Sequence, residues 1–84
     1  MPIEEIYQME TFLKDIKHVH DKSMLEKLKK QIEKVKENPS VGKPLKHNRK
    51  GEWTIYVKPY RLIYSFDGEK LFLLRFVHRD HAYG

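Results

Sequence analysis

The sequence predicts an α+β domain, in which an N-terminal strand and a helical hairpin pack on a C-terminal antiparallel sheet of three to four strands. Three observations carry this reading. Up to about residue 38 the apolar residues recur at helical spacing, and from Glu52 onward they alternate with a period of two. Asp67-Gly68 then separates two β-rich runs, which is a strong hairpin signal. Helices gathered in one half of a chain and strands in the other define the α+β class.

Each element follows from its own pattern. Ile3 and Tyr7 flank Glu4 and Glu5 in a short segment expected to be a first strand. From about Met9 to His20, Phe12, Leu13, Ile16 and Val19 mark one face of a helix. Asp21 or Ser23 is placed to cap a second helix, on which Leu25, Leu28, Ile32 and Val35 form the apolar stripe. Glu26–Lys30 and Glu33–Lys36 support that helix from its outer face. Asn38-Pro39 closes it, because a residue before proline is pushed out of the helical region. In the second half, Trp53, Ile55 and Val57 oppose Thr54, Tyr56 and Lys58. Tyr60, Leu62, Tyr64 and Phe66 oppose Arg61, Ile63 and Ser65, and Phe72, Leu74 and Phe76 oppose Leu71, Leu73 and Arg75. Pro59 belongs between strands or at an edge. On this reading one sheet face carries Ile63, Leu71 and Leu73 beside Arg61 and Arg75. Something apolar is therefore expected to cover part of it, either the chain's own end or a partner.

With 84 residues, the chain is expected to form a single domain, residues 1–84, burying roughly 60–65% of its unfolded surface. No hydrophobic run approaches the ~18 residues of a membrane span and no signal-peptide pattern opens the chain, so a soluble cytoplasmic protein is expected. The absence of Cys excludes a disulfide framework, a zinc-finger set and a thiol nucleophile. The formal net charge of +5 is unevenly spread: residues 1–38 hold eight acidic and eight basic side chains, residues 39–84 nine Lys/Arg against four acids. A one-sided positive field attracts polyanions, nucleic acid first and an acidic protein second.

The five His, at 18, 20, 47, 78 and 81, have no acidic cluster around them that suits a metal, and no Gly-rich phosphate loop or serine-hydrolase elbow is present. No metal or cofactor is expected. What remains is polar residues at strand ends: Lys58 and Arg61 around one turn, then His78, Arg79, Asp80, His81 and Tyr83 after the last strand. Two Arg converging on a phosphate stabilise the charge of a phosphoryl transition state, while His and Tyr move protons and Tyr stacks on bases. The same arginines also suit plain ion pairs with Asp67, Glu69 or Asp80, and residue types alone leave both readings open.

Pro44-Leu45, Trp53 to Val57, Tyr60-Arg61-Leu62-Ile63-Tyr64 and Val77-His78-Arg79, with Tyr83 four residues on, resemble the RelE/ParE superfamily, the toxins of type II toxin–antitoxin modules. The resemblance spans essentially the whole chain. It implies a metal-independent RNA endonuclease that cuts mRNA in the ribosomal A site, the 2′-hydroxyl attacking the adjacent phosphate to leave a 2′,3′-cyclic product. It also implies a cognate acidic, RelB-like antitoxin that wraps and blocks the toxin in a hetero-oligomer. Position by position, Arg61 and Arg79 match the phosphate-stabilising arginines, Tyr83 the C-terminal tyrosine that orients or stacks on substrate, and His78 a position often occupied by His. Lys46, Arg49, Lys50 and Lys58 are the expected RNA-binding cations. The chain departs from the family where the strand before "YR" carries basic residues: here stand Glu52, Thr54 and Tyr56. Either His78, His81 or Glu52 takes the proton, or cleavage is weak or absent. The alternatives are a ParE-like toxin aimed at DNA gyrase and a catalytically weak RNA-binding member of the same fold.

Overall fold

The helical half forms as its spacing requires. A computed structural model describes residues 2–45 and 51–79, and in it β1 (Glu5–Gln8) leads into α1 (Glu10–Lys17) and α2 (Lys22–Glu37). The Asp21 carboxylate caps α2 by accepting from the backbone N–H groups of Ser23 at 2.9 Å and Met24 at 3.4 Å. Asn38, held extended before Pro39, ends the helix, and its side-chain oxygen accepts from Ser40 N–H at 3.2 Å. A 3-10 turn, Pro39–Val41, then delivers the chain to β2 (Lys43–Pro44).

Among the described residues, β2, β3 (Trp53–Val57), β4 (Tyr60–Asp67) and β5 (Lys70–His78) are antiparallel neighbours, and β1 joins β5 in parallel, giving the order β1-β5-β4-β3-β2. Two helices on one face of a mixed five-stranded sheet make the α+β architecture the sequence predicts. The N-terminal strand belongs to the sheet, and β2, a strand of two residues, had no alternation to announce it. No described helix is long and apolar enough to cross a membrane.

The core lies between the helices and one sheet face. Phe12, Met24, Leu28 and Val35 meet Val57, Leu62, Tyr64, Leu71, Leu73 and Phe76 there. Full burial of a Leu or Phe side chain is worth roughly 1.5–3 kcal/mol, so this layer supplies most of the drive to fold. The alternation expected for β5 is corrected here. Ile63 pairs with Arg75 but Tyr64 with Leu73, so Leu74 is an extra residue in a bulge. Leu71 and Leu73 therefore face the core before the bulge and Phe76 after it, rather than Phe72, Leu74 and Phe76 sharing one face. On the face away from the helices, Ile63 is nonetheless only 2% exposed. The isolated chain buries that residue with its own atoms.

Candidate functional site

The end of the sheet that carries the β3–β4 turn is built from Tyr56-Val57-Lys58-Pro59-Tyr60-Arg61. Lys58 and Pro59 form a two-residue connection with a cis peptide bond between them, and Tyr56 and Arg61 are left directly opposite each other. Facing residues in antiparallel strands hold their side chains within reach on one face. The Arg61 guanidinium carbon accordingly lies 4.4 Å from the centre of the Tyr56 ring, and one terminal nitrogen donates to the Tyr56 hydroxyl. Stacking on an aromatic face combined with a hydrogen bond fixes both the plane and the direction of a guanidinium. Arg61 is half-buried and Tyr56 is 46% exposed, so the pair borders solvent on the face away from the helices.

Arg79 joins this end of the sheet through its backbone: its N–H donates to the Pro59 carbonyl at 2.9 Å. On β4's other side Arg61 pairs with Val77, two residues before Arg79. Lys58 is exposed in the turn itself. One sheet end thus gathers Lys58, Arg61 and Arg79.

His78 lies on the face of the sheet opposite Arg61. It pairs with Tyr60, whose ring stacks on Phe76 at 4.8 Å and meets the His78 ring edge-on at 5.7 Å. These residues line a small cavity of about 190 Å³ with Asp15, His18 and Val19 on the helix side of the sheet. The sheet therefore lies between His78 and Arg61, because adjacent strand positions project to opposite faces. Thr54 shares the Arg61 face, and Glu52, just before β3, stands four residues from Tyr56, about 13 Å at 3.3 Å per residue of extended chain. Tyr83, His81, Lys46, Arg49 and Lys50 lie outside the described residues.

Two further tyrosine roles escaped the sequence reading. Tyr56 drew notice there only as a non-basic residue, although a tyrosine facing an arginine across a two-residue turn was a usable signal. Tyr64 is fully buried, donates to the Pro39 carbonyl at 2.7 Å and accepts from Gly42 N–H at 3.1 Å. Burial raises its pKa above 10.0, with the Gly42 contact opposing. At the far edge of β5, the Asp15 carboxylate accepts from Arg75 Nε at 2.7 Å and raises the guanidinium's pKa. Among the described residues no three His, Asp or Glu side chains form a metal-holding group.

A hairpin of helices over a mixed five-stranded sheet matches the fold of RelE-like toxins. The YoeB/ParE toxin from Agrobacterium tumefaciens superposes with a TM-score of 0.78 at 22% identity, over 90% of this chain and 99% of that one. The toxin–antitoxin complex RelBE2 from Mycobacterium tuberculosis gives 0.77 at 26% identity, over 94% of each chain. YafQ from the E. coli DinJ–YafQ toxin–antitoxin complex gives 0.75 at 22% identity over the full length of both. Comparison with curated protein sequences finds no match. The family model described as the ParE toxin of the type II toxin–antitoxin system parDE matches residues 6–83, and the chain belongs to that family.

Proposed function

We propose that this toxin is a metal-independent endoribonuclease acting on mRNA in the ribosomal A site, held in check by a cognate acidic antitoxin in a hetero-oligomer. The observation that carries the reading is the gathering of Lys58, Arg61 and Arg79 at one sheet end, with Arg61 already oriented by Tyr56. In the reaction the 2′-oxygen forms a bond to the adjacent phosphorus, the bond to the 5′-oxygen breaks, and a 2′,3′-cyclic phosphate and a 5′-hydroxyl result. Arg61 and Arg79 act on the non-bridging oxygens as negative charge builds there, and Arg remains charged at any working pH. Tyr83 is assigned to the substrate by its match to the family's C-terminal tyrosine. Of the three groups considered for the 2′-hydroxyl proton, His78 faces the helices and Glu52 precedes β3, four residues from Tyr56. The acceptor assigned is His81, two residues beyond Arg79 in sequence. A protonated acid then returns a proton to the leaving 5′-oxygen.

The test is toeprinting of a translated message in a purified translation system. Arg61→Ala and Arg79→Ala should each lower the cleavage rate by about 10²–10³, as loss of a transition-state donor does elsewhere, with folding retained. Unchanged cutting by both variants would remove the assignment. The match to the ParE toxin model favours a second reading, poisoning of DNA gyrase. Intact message combined with altered DNA supercoiling in the same preparation would select it.

A further inference from the structure

We propose that Tyr56 is the positioning residue for Arg61, orienting its guanidinium for the phosphate of a single-stranded RNA. The inference rests on the nuclease reading for its kinetic readout only. Three observations combine. Tyr56 and Arg61 are register partners beside the Lys58-Pro59 turn. The guanidinium lies over the phenol ring at 4.4 Å, and the phenol oxygen accepts one of its terminal N–H groups. Arg61 Nε is buried, so a phosphate can reach the group only at its terminal nitrogens, one of which donates to Tyr56.

An unsupported arginine samples many rotamers, and ordering it on a ligand costs free energy. A guanidinium already stacked and hydrogen-bonded has met that cost before substrate arrives. Preorganised donors are also worth more to a transition state than donors that must be recruited. Tyr56 therefore takes a different part from the basic residues that the family resemblance puts on this strand. A phenol that accepts from Arg61 fixes a donor and brings no second cation to the phosphate. Its 46% exposure and its place on the rim of the sheet leave the core independent of it, which makes substitution practicable.

The test is a double-mutant cycle on the full chain with Tyr56→Phe, Tyr56→Leu, Arg61→Ala and the Tyr56→Leu/Arg61→Ala pair. Cleavage of ribosome-bound message is one readout. Binding of a short single-stranded oligonucleotide of the same sequence, with 2′-deoxyribose at every position to prevent cutting, is the other. Tyr56→Leu should lower kcat by about 10- to 100-fold with KM changed less than threefold, a fraction of the full donor loss. Tyr56→Phe, which keeps the ring, should recover at least a third of the wild-type rate. In the Arg61→Ala background Tyr56→Leu should have no further effect, because residues acting through one another are not additive. In the wild type the Arg61 guanidinium proton resonances should be displaced by the Tyr56 ring current, retained in Tyr56→Phe and lost in Tyr56→Leu. Equal effects of Tyr56→Leu with and without Arg61, or no effect in the wild type, would overturn the proposal. If the wild type does not cut but binds the oligonucleotide, the nuclease reading fails and the cycle measured in binding still decides the role of Tyr56. A wild type that neither cuts nor binds would refute both.

Discussion

Tyr64 shows how much a single phenol can hold. Its ring belongs to the core, and its hydroxyl bridges the Pro39 carbonyl and the Gly42 N–H, fixing the turn between α2 and β2 to the middle of the sheet. Tyr64→Phe keeps the ring and leaves both backbone groups short of a partner, so stability should fall by about 1–3 kcal/mol in urea unfolding. The pH dependence has a definite sign. The folded pKa is raised above 10.0 because burial penalises the phenolate. The folded state therefore holds its proton longer than the unfolded chain, and stability is fully present below the unfolded pKa and lost as pH rises through the folded one. The gap between wild type and Tyr64→Phe should narrow above about pH 10, whereas a gap constant up to pH 11 would contradict this account. Gly42 is the reciprocal part: a Cβ there would stand 2.6 Å from both Thr54 O and the Tyr64 hydroxyl. Gly42→Ala should cost about 1–3 kcal/mol, read in the same unfolding experiment. The alternation of Tyr60, Leu62, Tyr64 and Phe66 already put Tyr64 on the buried face. Its partners, 25 and 22 residues earlier, left no local trace because they are backbone groups that every residue carries.

At the level of elements, the least legible feature was the upper half of β5. Leu71 to Leu74 is an unbroken apolar run, so either alternation offered a core face and nothing local marked Leu74 as the bulge. What settles the matter is long-range pairing with β4 and the way α1 treats the edge. After β1 ends opposite Leu73, α1 takes over: the Thr11 hydroxyl donates to Leu74 O at 2.7 Å and the Asp15 carboxylate accepts from Phe76 N–H at 2.9 Å. Helix side chains thus satisfy an edge that would otherwise be open to another strand. The same bulge brings Phe76 and His78 to the helix side. Arg61 and His78 therefore lie on opposite faces, as the alternation of Arg61 against Tyr60 and of Arg75 against Phe76 already implied. Asp15→Ala should cost about 1–3 kcal/mol, chiefly through the part-buried Phe76 N–H. The half-exposed Arg75 ion pair contributes less. Amide exchange at Phe76 should quicken accordingly, and Asp15→Asn, which keeps one acceptor oxygen, should restore most of the protection. Unchanged Phe76 exchange in Asp15→Ala would show that α1 does not hold this edge.

Across the whole molecule, charge is sorted by layer. Each of the six lysines of α2 has Glu26, Glu33 or Glu37 within four residues along the helix, whereas the sheet end around the β3–β4 turn gathers Lys58, Arg61 and Arg79. A polyanion should therefore be held by the turn end rather than by the lysine-rich helix, although α2 has more lysines. Counterion release turns this into a measurement. Each phosphate neutralised on single-stranded nucleic acid contributes about −0.7 to the slope of log K against log salt. Arg61→Ala and Lys58→Ala should each make the slope for a 2′-deoxy-blocked oligonucleotide shallower by about that amount. Lys30→Ala, beside Glu26 on α2, should leave it unchanged. The acidic antitoxin assigned above should abolish oligonucleotide binding when added in stoichiometric amount, if its acidic segment covers the same cations. A slope that responds to Lys30 as strongly as to Arg61 would place the polyanion on the helices. The orientation of Arg61 by Tyr56 would then have to serve some contact other than phosphate.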